Sequence, residues 1–162
     1  MYRTDRLDEV AALIWRAQDF RRDLQKAPHI GGPDVGDAVL EYGGGIADAI
    51  SALRGGASRI DAYEELSRAL VWLAFLAGGG EESDPAVMSR ISEFMADMAL
   101  GKPGQDRIDL DWVLKLLATP QLDIYWAIAT IIVGLQAVGF DVLGTAHSYL
   151  DSLDGKTKPQ ND

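Results

Sequence analysis

The sequence predicts an all-α protein, a single bundle of six to seven helices around a central apolar helix at about 120–138. Three observations carry that reading. Apolar residues recur at three- and four-residue intervals through most of the chain, and no alternating apolar/polar run is long enough for a strand. Clusters of Gly and Pro separate the periodic segments, with Asp, Ser or Thr at the capping positions. The 17-residue segment 124–140, IYWAIATIIVGLQAVGF, holds no charge and lies between Asp123 and Asp141. A helix apolar on every side is expected at the centre of a bundle.

The first helix spans about Asp5 to Lys26, with Leu7, Val10, Ile14, Ala17 and Leu24 at helical spacing, acids in its first turn and bases in its last. Pro28 and Gly31-Gly32-Pro33 end it. The second, from Asp34 to about Arg54, places Val35, Val39, Ile46, Ile50 and Leu53 on one side. Gly43-Gly44-Gly45 interrupts it. Each glycine costs about 1 kcal/mol relative to Ala, so the run implies a kink, a break or a very close backbone neighbour. Ser58-Arg59-Ile60-Asp61 has capping-box spacing and opens a third helix with Leu66, Leu70, Leu73 and Ala77 inward, stopped by Gly78-Gly79-Gly80. Asp84-Pro85 opens a fourth, lined by Met88, Ile91, Met95 and Met98 and ending at Gly101. Asp109 caps a short fifth through Ala118, and Thr119-Pro120 starts the central helix, which Gly139 ends. Asp141 caps the last helix and Gly155 closes it. Residues 4–154 thus form one helical domain, and 155–162 a polar tail.

Length and composition fit one globular domain: 162 residues, 48% apolar and 25% charged. A spanning helix takes about 20 apolar residues and a Lys/Arg excess at one end. The 124–140 segment includes Thr130, Gly134, Gln136 and Gly139 and has no Lys or Arg near either end. Burial in a core is therefore expected, and membrane association is the least favoured reading. The N-terminal MYRTDRLDEV has no apolar export segment, so a cytoplasmic location is expected. The absence of cysteine excludes disulfides, thiolate metal sites and thiol catalysis. His29 and His147 lie far apart, so a histidine metal site would need carboxylates or a second subunit.

Net charge is −10. Residues 1–30 hold six Lys/Arg against five Asp/Glu, and the remainder nine against twenty. This field opposes nucleic-acid binding, which rests on basic contacts to phosphate. The one basic cluster, Arg16, Arg21, Arg22 and Lys26, sits at a helix C-terminus, where cations stabilise the dipole.

Acids are the only abundant material for chemistry. Asp61, Glu64 and Glu65 share a helix, with Glu81, Glu82 and Asp84 just beyond. Carboxylate clusters bind Mg²⁺, but Glu64 and Arg68 are also spaced as a surface i,i+4 pair. Acids at a helix N-terminus are stabilising in any case. The glycine runs lack a phosphate loop's Gly-Lys-Ser/Thr ending, and no serine lies on a nucleophile turn. Trp15, Trp72, Trp112 and Trp126 read as core anchors. Gly134 and Gly139 read as points of close helix approach.

Glu41-Tyr42-Gly43-Gly44-Gly45 followed by Ile46-Ala47-Asp48-Ala49-Ile50, and Glu65-Leu66-Ser67-Arg68 before ALVWLAFLA, resemble the two acidic motifs of the all-α, MazG-like nucleoside triphosphate pyrophosphohydrolases. In that family E-E-x-x-E and E-x-x-D hold Mg²⁺ against a nucleotide triphosphate, and water releases pyrophosphate. Glu41 and Glu65 match, whereas Tyr42, Gly45 and Arg68 stand where three acids belong. A second register places Asp123 at the final acid and Pro120 at a glutamate, with Gly139-Phe140-Asp141 resembling the turn before the family's last helix.

The residues favour a non-catalytic acidic protein that works through a protein partner or self-association, with no cofactor; the resemblance implies in addition a relative that has lost its metal site. Arg68 then contacts a nucleotide phosphate without metal. The alternative is a Mg²⁺-dependent pyrophosphohydrolase acting on (d)NTPs, with Glu41, Asp48, Glu64, Glu65 and Asp123 as ligands.

Overall fold

The computed structural model describes residues 7–26, 35–55, 59–77, 84–101, 110–118 and 123–157. Seven helices account for nearly all of them: α1 (Leu7–Lys26), α2 (Val35–Arg54), α3 (Arg59–Ala77), α4 (Asp84–Gly101), α5 (Leu110–Ala118), α6 (Ile124–Ala137) and α7 (Val142–Thr157). No strand occurs among the described residues. The all-α bundle is the one the periodicity predicts.

The deepest element is α3, which packs against α1, α2, α6 and α7. From Leu66 to Phe75 every residue but Arg68 is buried. The uncharged α6 packs on α3, α4 and α7 and buries Ala127, Ile128, Ala129, Ile131, Ile132 and Leu135 completely. Its other side, with Tyr125, Trp126 and Val133, is only half-buried. No single described helix is long and apolar enough to cross a membrane, although α6 and α7 together are, as a pair bent by 120°.

The expected central helix, α6, is thus second to α3 in burial, and it starts later than expected. Asp123 caps it, its carboxylate accepting from the backbone N–H of Tyr125 at 3.0 Å and Trp126 at 3.2 Å. The Thr119-Pro120 start, like the Asp34, Ser58 and Asp109 caps, falls outside the described residues. At the other end Gly139 adopts φ +81°, with Phe140 N–H reaching Leu135 O and Gly139 N–H reaching Gln136 O, both at 3.0 Å. These are the two bonds of a Schellman motif. Nothing lies within 4 Å of a Cβ at Gly139, so the residue serves backbone conformation and not close helix approach. Asp141 caps α7 as expected, accepting from Gly144 N–H at 3.0 Å. Gly155 does not close that helix, which continues to Thr157.

The glycine run does not interrupt α2, which is continuous through it. Of the three expected consequences, close approach is the one present. A Cβ at Gly45 would lie 3.2 Å from both Ala69 Cβ and Glu65 O on α3. Small residues therefore make this interface. Ala38, Tyr42, Ile46 and Ala49 face inward, while the expected Val39 is 52% exposed and Ile50 and Leu53 are half-buried. The buried stripe is turned by about one residue because backbone proximity, and not side-chain bulk, sets the contact.

The basic cluster also acts differently from expectation. Arg21 donates to the carbonyls of Phe75 at 3.0 Å and Leu76 at 3.3 Å, capping the C-terminus of α3 and not that of its own helix. Its guanidinium sits 5.3 Å from the Phe75 ring centre. Of the tryptophans, Trp72 and Trp112 are buried and Trp126 is half-buried, but Trp15 is 44% exposed and anchors nothing in the core.

Candidate functional site

The contact at Gly45 brings charged residues of α2 and α3 face to face. Glu41, Gly44, Gly45 and Asp48 repeat at helical spacing along one side of α2, and Glu65, Arg68 and Trp72 do so along α3. Tyr149 and Ser152 of α7 close the third side. Together they line a cleft of about 390 Å³, within the range of small-molecule sites.

Its rigid wall is aromatic. Trp72, 4% exposed, donates from Nε1 to the Tyr149 hydroxyl at 3.0 Å, and the two rings meet edge to face at 6.4 Å. Arg68 bridges this wall and the acids. Its Nη1 donates to Glu65 Oε1 at 2.6 Å, and its guanidinium carbon lies 5.8 Å from the Tyr149 ring centre. The surface pair expected with Glu64 is therefore replaced by an i,i+3 pair with Glu65.

The acids act on one another. Burial raises the Glu65 pKa above the ordinary range, Arg68 opposes this, and Asp48, Glu64 and Asp61 push it further up. Burial also raises the Tyr149 pKa; the Trp72 hydrogen bond and Arg68 pull it down, while Glu41 and Glu65 raise it. Three carboxylates against one paired guanidinium leave the cleft with a surplus of negative charge.

Of the five carboxylates considered as metal ligands, Glu41, Asp48 and Glu65 line the cleft, and Arg68 lies with them. Glu64 is on α3 but outside the lining, and Asp123 is engaged as the cap of α6. Among the described residues, no three Asp, Glu or His side chains come together in a way that could hold one metal ion. The described acids are therefore not gathered around one metal position, and Arg68 already pairs with Glu65 Oε1. Glu81 and Glu82 lie outside the described residues.

Sequence reasoning missed Tyr149 and Ser152, and treated Trp72 only as core. Nothing in the spacing of α7 ties it to α2, more than 100 positions earlier in the chain. The one available signal was the apolar stripe Val142, Leu143, Ala146 and Leu150, which leaves Tyr149 at its flank with a polar tip to satisfy. Comparison with known protein families, characterised proteins and solved structures finds no match to this chain.

Proposed function

We propose that this protein acts by binding a partner, without catalysis, and that the cleft between α2, α3 and α7 receives a Lys or Arg side chain of that partner. The observation that carries the reading is the cleft's charge: Glu41, Asp48 and Glu65 against Arg68 alone, which is already paired. The aromatic wall adds a surface on which the apolar stem of a long cationic side chain can lie. The overall charge of −10 favours basic partners at long range.

A second reading, Mg²⁺-dependent hydrolysis of nucleoside triphosphates, is supported by one observation. The positions that resemble the MazG-like motifs, Glu41, Gly45, Glu65 and Arg68, lie together in the cleft. Against it stand the lack of a three-acid cluster among the described residues and the pairing of Glu65 with the Arg68 cation.

Amide chemical-shift mapping with short Lys- and Arg-containing peptides, beside acidic controls, tests the proposal. Shifts at Glu41, Asp48, Glu65 and Tyr149 with basic peptides, lost in Glu41→Gln/Asp48→Asn and weakened by salt, are expected. Silence with every basic peptide, together with pyrophosphate release from a dNTP panel and Mg²⁺, would replace binding by catalysis.

A further inference from the structure

The helices α1 and α7 are joined by a cluster whose hydrogen bonds require one protonation state of a histidine. Arg16 donates from Nη1 to His147 Nδ1 at 3.0 Å and to the His147 carbonyl oxygen at 3.1 Å. Its Nη2 pairs with Asp151, one turn further along α7. A guanidinium has N–H donors and no acceptor. The Nδ1 atom of His147 must therefore offer its lone pair, which places the ring proton on Nε2 and makes the imidazole neutral.

The surroundings favour the same state. His147 is half-buried, and burial followed by the Arg16 charge lowers its pKa below the ordinary range, while Asp151 and Asp141 pull the other way. The charges acting on the ring are thus Arg16 from α1 and Asp151 and Asp141 from α7. On the other side of α7, α3 brings Arg68 and Trp72 to Tyr149, not to the imidazole. Among the described residues, α6 adds no charge that acts on it.

We propose that Arg16 and His147 form a proton-operated catch between α1 and α7, tight while the imidazole is neutral and loosened when it takes up a proton. Protonation turns Nδ1 into a donor, so the bond it accepts from Arg16 is lost and two cations face each other across the same gap. The bond from Arg16 to the His147 carbonyl and the Arg16–Asp151 pair persist, the latter with side chains 30% and 70% exposed, a class of ion pair that contributes little. Because α7 also carries Tyr149 and Ser152, loosening of the catch weakens the support behind one wall of the cleft. The catch needs no ligand, so it stands or falls independently of what the cleft binds.

The test is ¹⁵N NMR of the full chain carrying His29→Gln, which leaves one imidazole to observe. The expected spectrum shows the Nε2–H tautomer at neutral pH. Its titration midpoint lies below that of the same residue in Arg16→Met. Amide hydrogen exchange in α1 and α7, corrected for intrinsic rates, speeds up as His147 titrates, while α4 is unaffected. An Nδ1–H tautomer would overturn the catch outright, and the wild-type spectrum alone decides that point even if Arg16→Met folds poorly. An unchanged midpoint in Arg16→Met, or flat α1 and α7 protection across the titration, would overturn it as well.

Discussion

Alanine at Gly43 should stabilise the protein and alanine at Gly45 should not, although both residues sit in the same continuous helix. At Gly43 nothing lies within 4 Å of an added Cβ. The substitution there gains only helix propensity, about 0.8–1 kcal/mol in favour of Ala. At Gly45 the same gain is set against a Cβ 3.2 Å from Ala69 Cβ and from Glu65 O. Neither neighbour is the free end of a flexible side chain. One is the β-carbon of a packed helix and the other is backbone, so α2 and α3 must separate. Overpacking of this kind costs about 1–3 kcal/mol. Gly45→Ala is therefore expected to be neutral to about 2 kcal/mol destabilising, and Gly43→Ala stabilising by just under 1 kcal/mol. For a chain of this size each kcal/mol moves Tm by roughly 2–4 °C, so the two variants should differ by several degrees. Urea unfolding followed by circular dichroism at 222 nm measures both midpoints, and equal m-values keep the comparison to stability. If Gly45→Ala proves as stable as Gly43→Ala, the close contact does not set the α2–α3 spacing.

Three further outcomes follow from named contacts. Asp123→Ala removes the cap of α6 and should cost about 1 kcal/mol with no change in ligand binding at the cleft; altered peptide binding would return Asp123 to the site. Tyr149→Phe leaves the buried Trp72 Nε1–H without its acceptor, a loss of about 1–3 kcal/mol readable as a lower urea midpoint and a changed near-ultraviolet spectrum. Glu65 has its folded-state pKa raised. It contributes stability below the ordinary carboxylate value of 4.5 that is lost as pH rises through the raised value. The Tm difference, Glu65→Gln minus wild type, should therefore grow more positive from pH 4 to pH 7, and a difference that shrinks over that range would contradict the burial argument.

Helix existence was legible in the sequence because periodicity and breakers report it locally. The boundaries of α3 and α4, read from Ala77, Asp84 and Gly101, agree with the structure. The cap of α6 was misplaced because Thr119-Pro120 and Asp123 are both acceptable starts, and local sequence does not choose between them. The inward stripe of α2 was misread for a different reason. Val39 carries more apolar surface than Ala38 or Ala49, but the Gly45 contact brings the backbones too close for that bulkier face to turn inward. The pairing of Arg68 shows the same limit. Spacing permits Glu64 or Glu65, and only the neighbouring Tyr149 ring, supplied by α7, favours the side on which Glu65 lies.

The cleft and the helix contact have one cause, which bears on the weight of the family resemblance. Where α2 meets α3 at Gly45 and Ala69, geometry places the residues three and four positions away along each helix at the edges of the contact. Glu41 and Asp48 on α2, and Glu65 and Trp72 on α3, occupy those edges, and Arg68 lines the cleft beside them. Any pair of helices crossing on a glycine would juxtapose the residues at these positions, whatever their chemistry. Juxtaposition alone therefore does not distinguish a former hydrolase from an unrelated bundle. What distinguishes them is the identity of the flanking side chains, and here three acids and one guanidinium, paired with Glu65, line the cleft. On the proposed reading that arrangement suits addition of a second cation: an incoming Lys or Arg can take the Glu41 and Asp48 side of the cleft while Arg68 keeps Glu65. Displacing Arg68 is then unnecessary for binding, so the pair with Glu65 and the stack on Tyr149 can persist in the bound state and hold the aromatic wall in place.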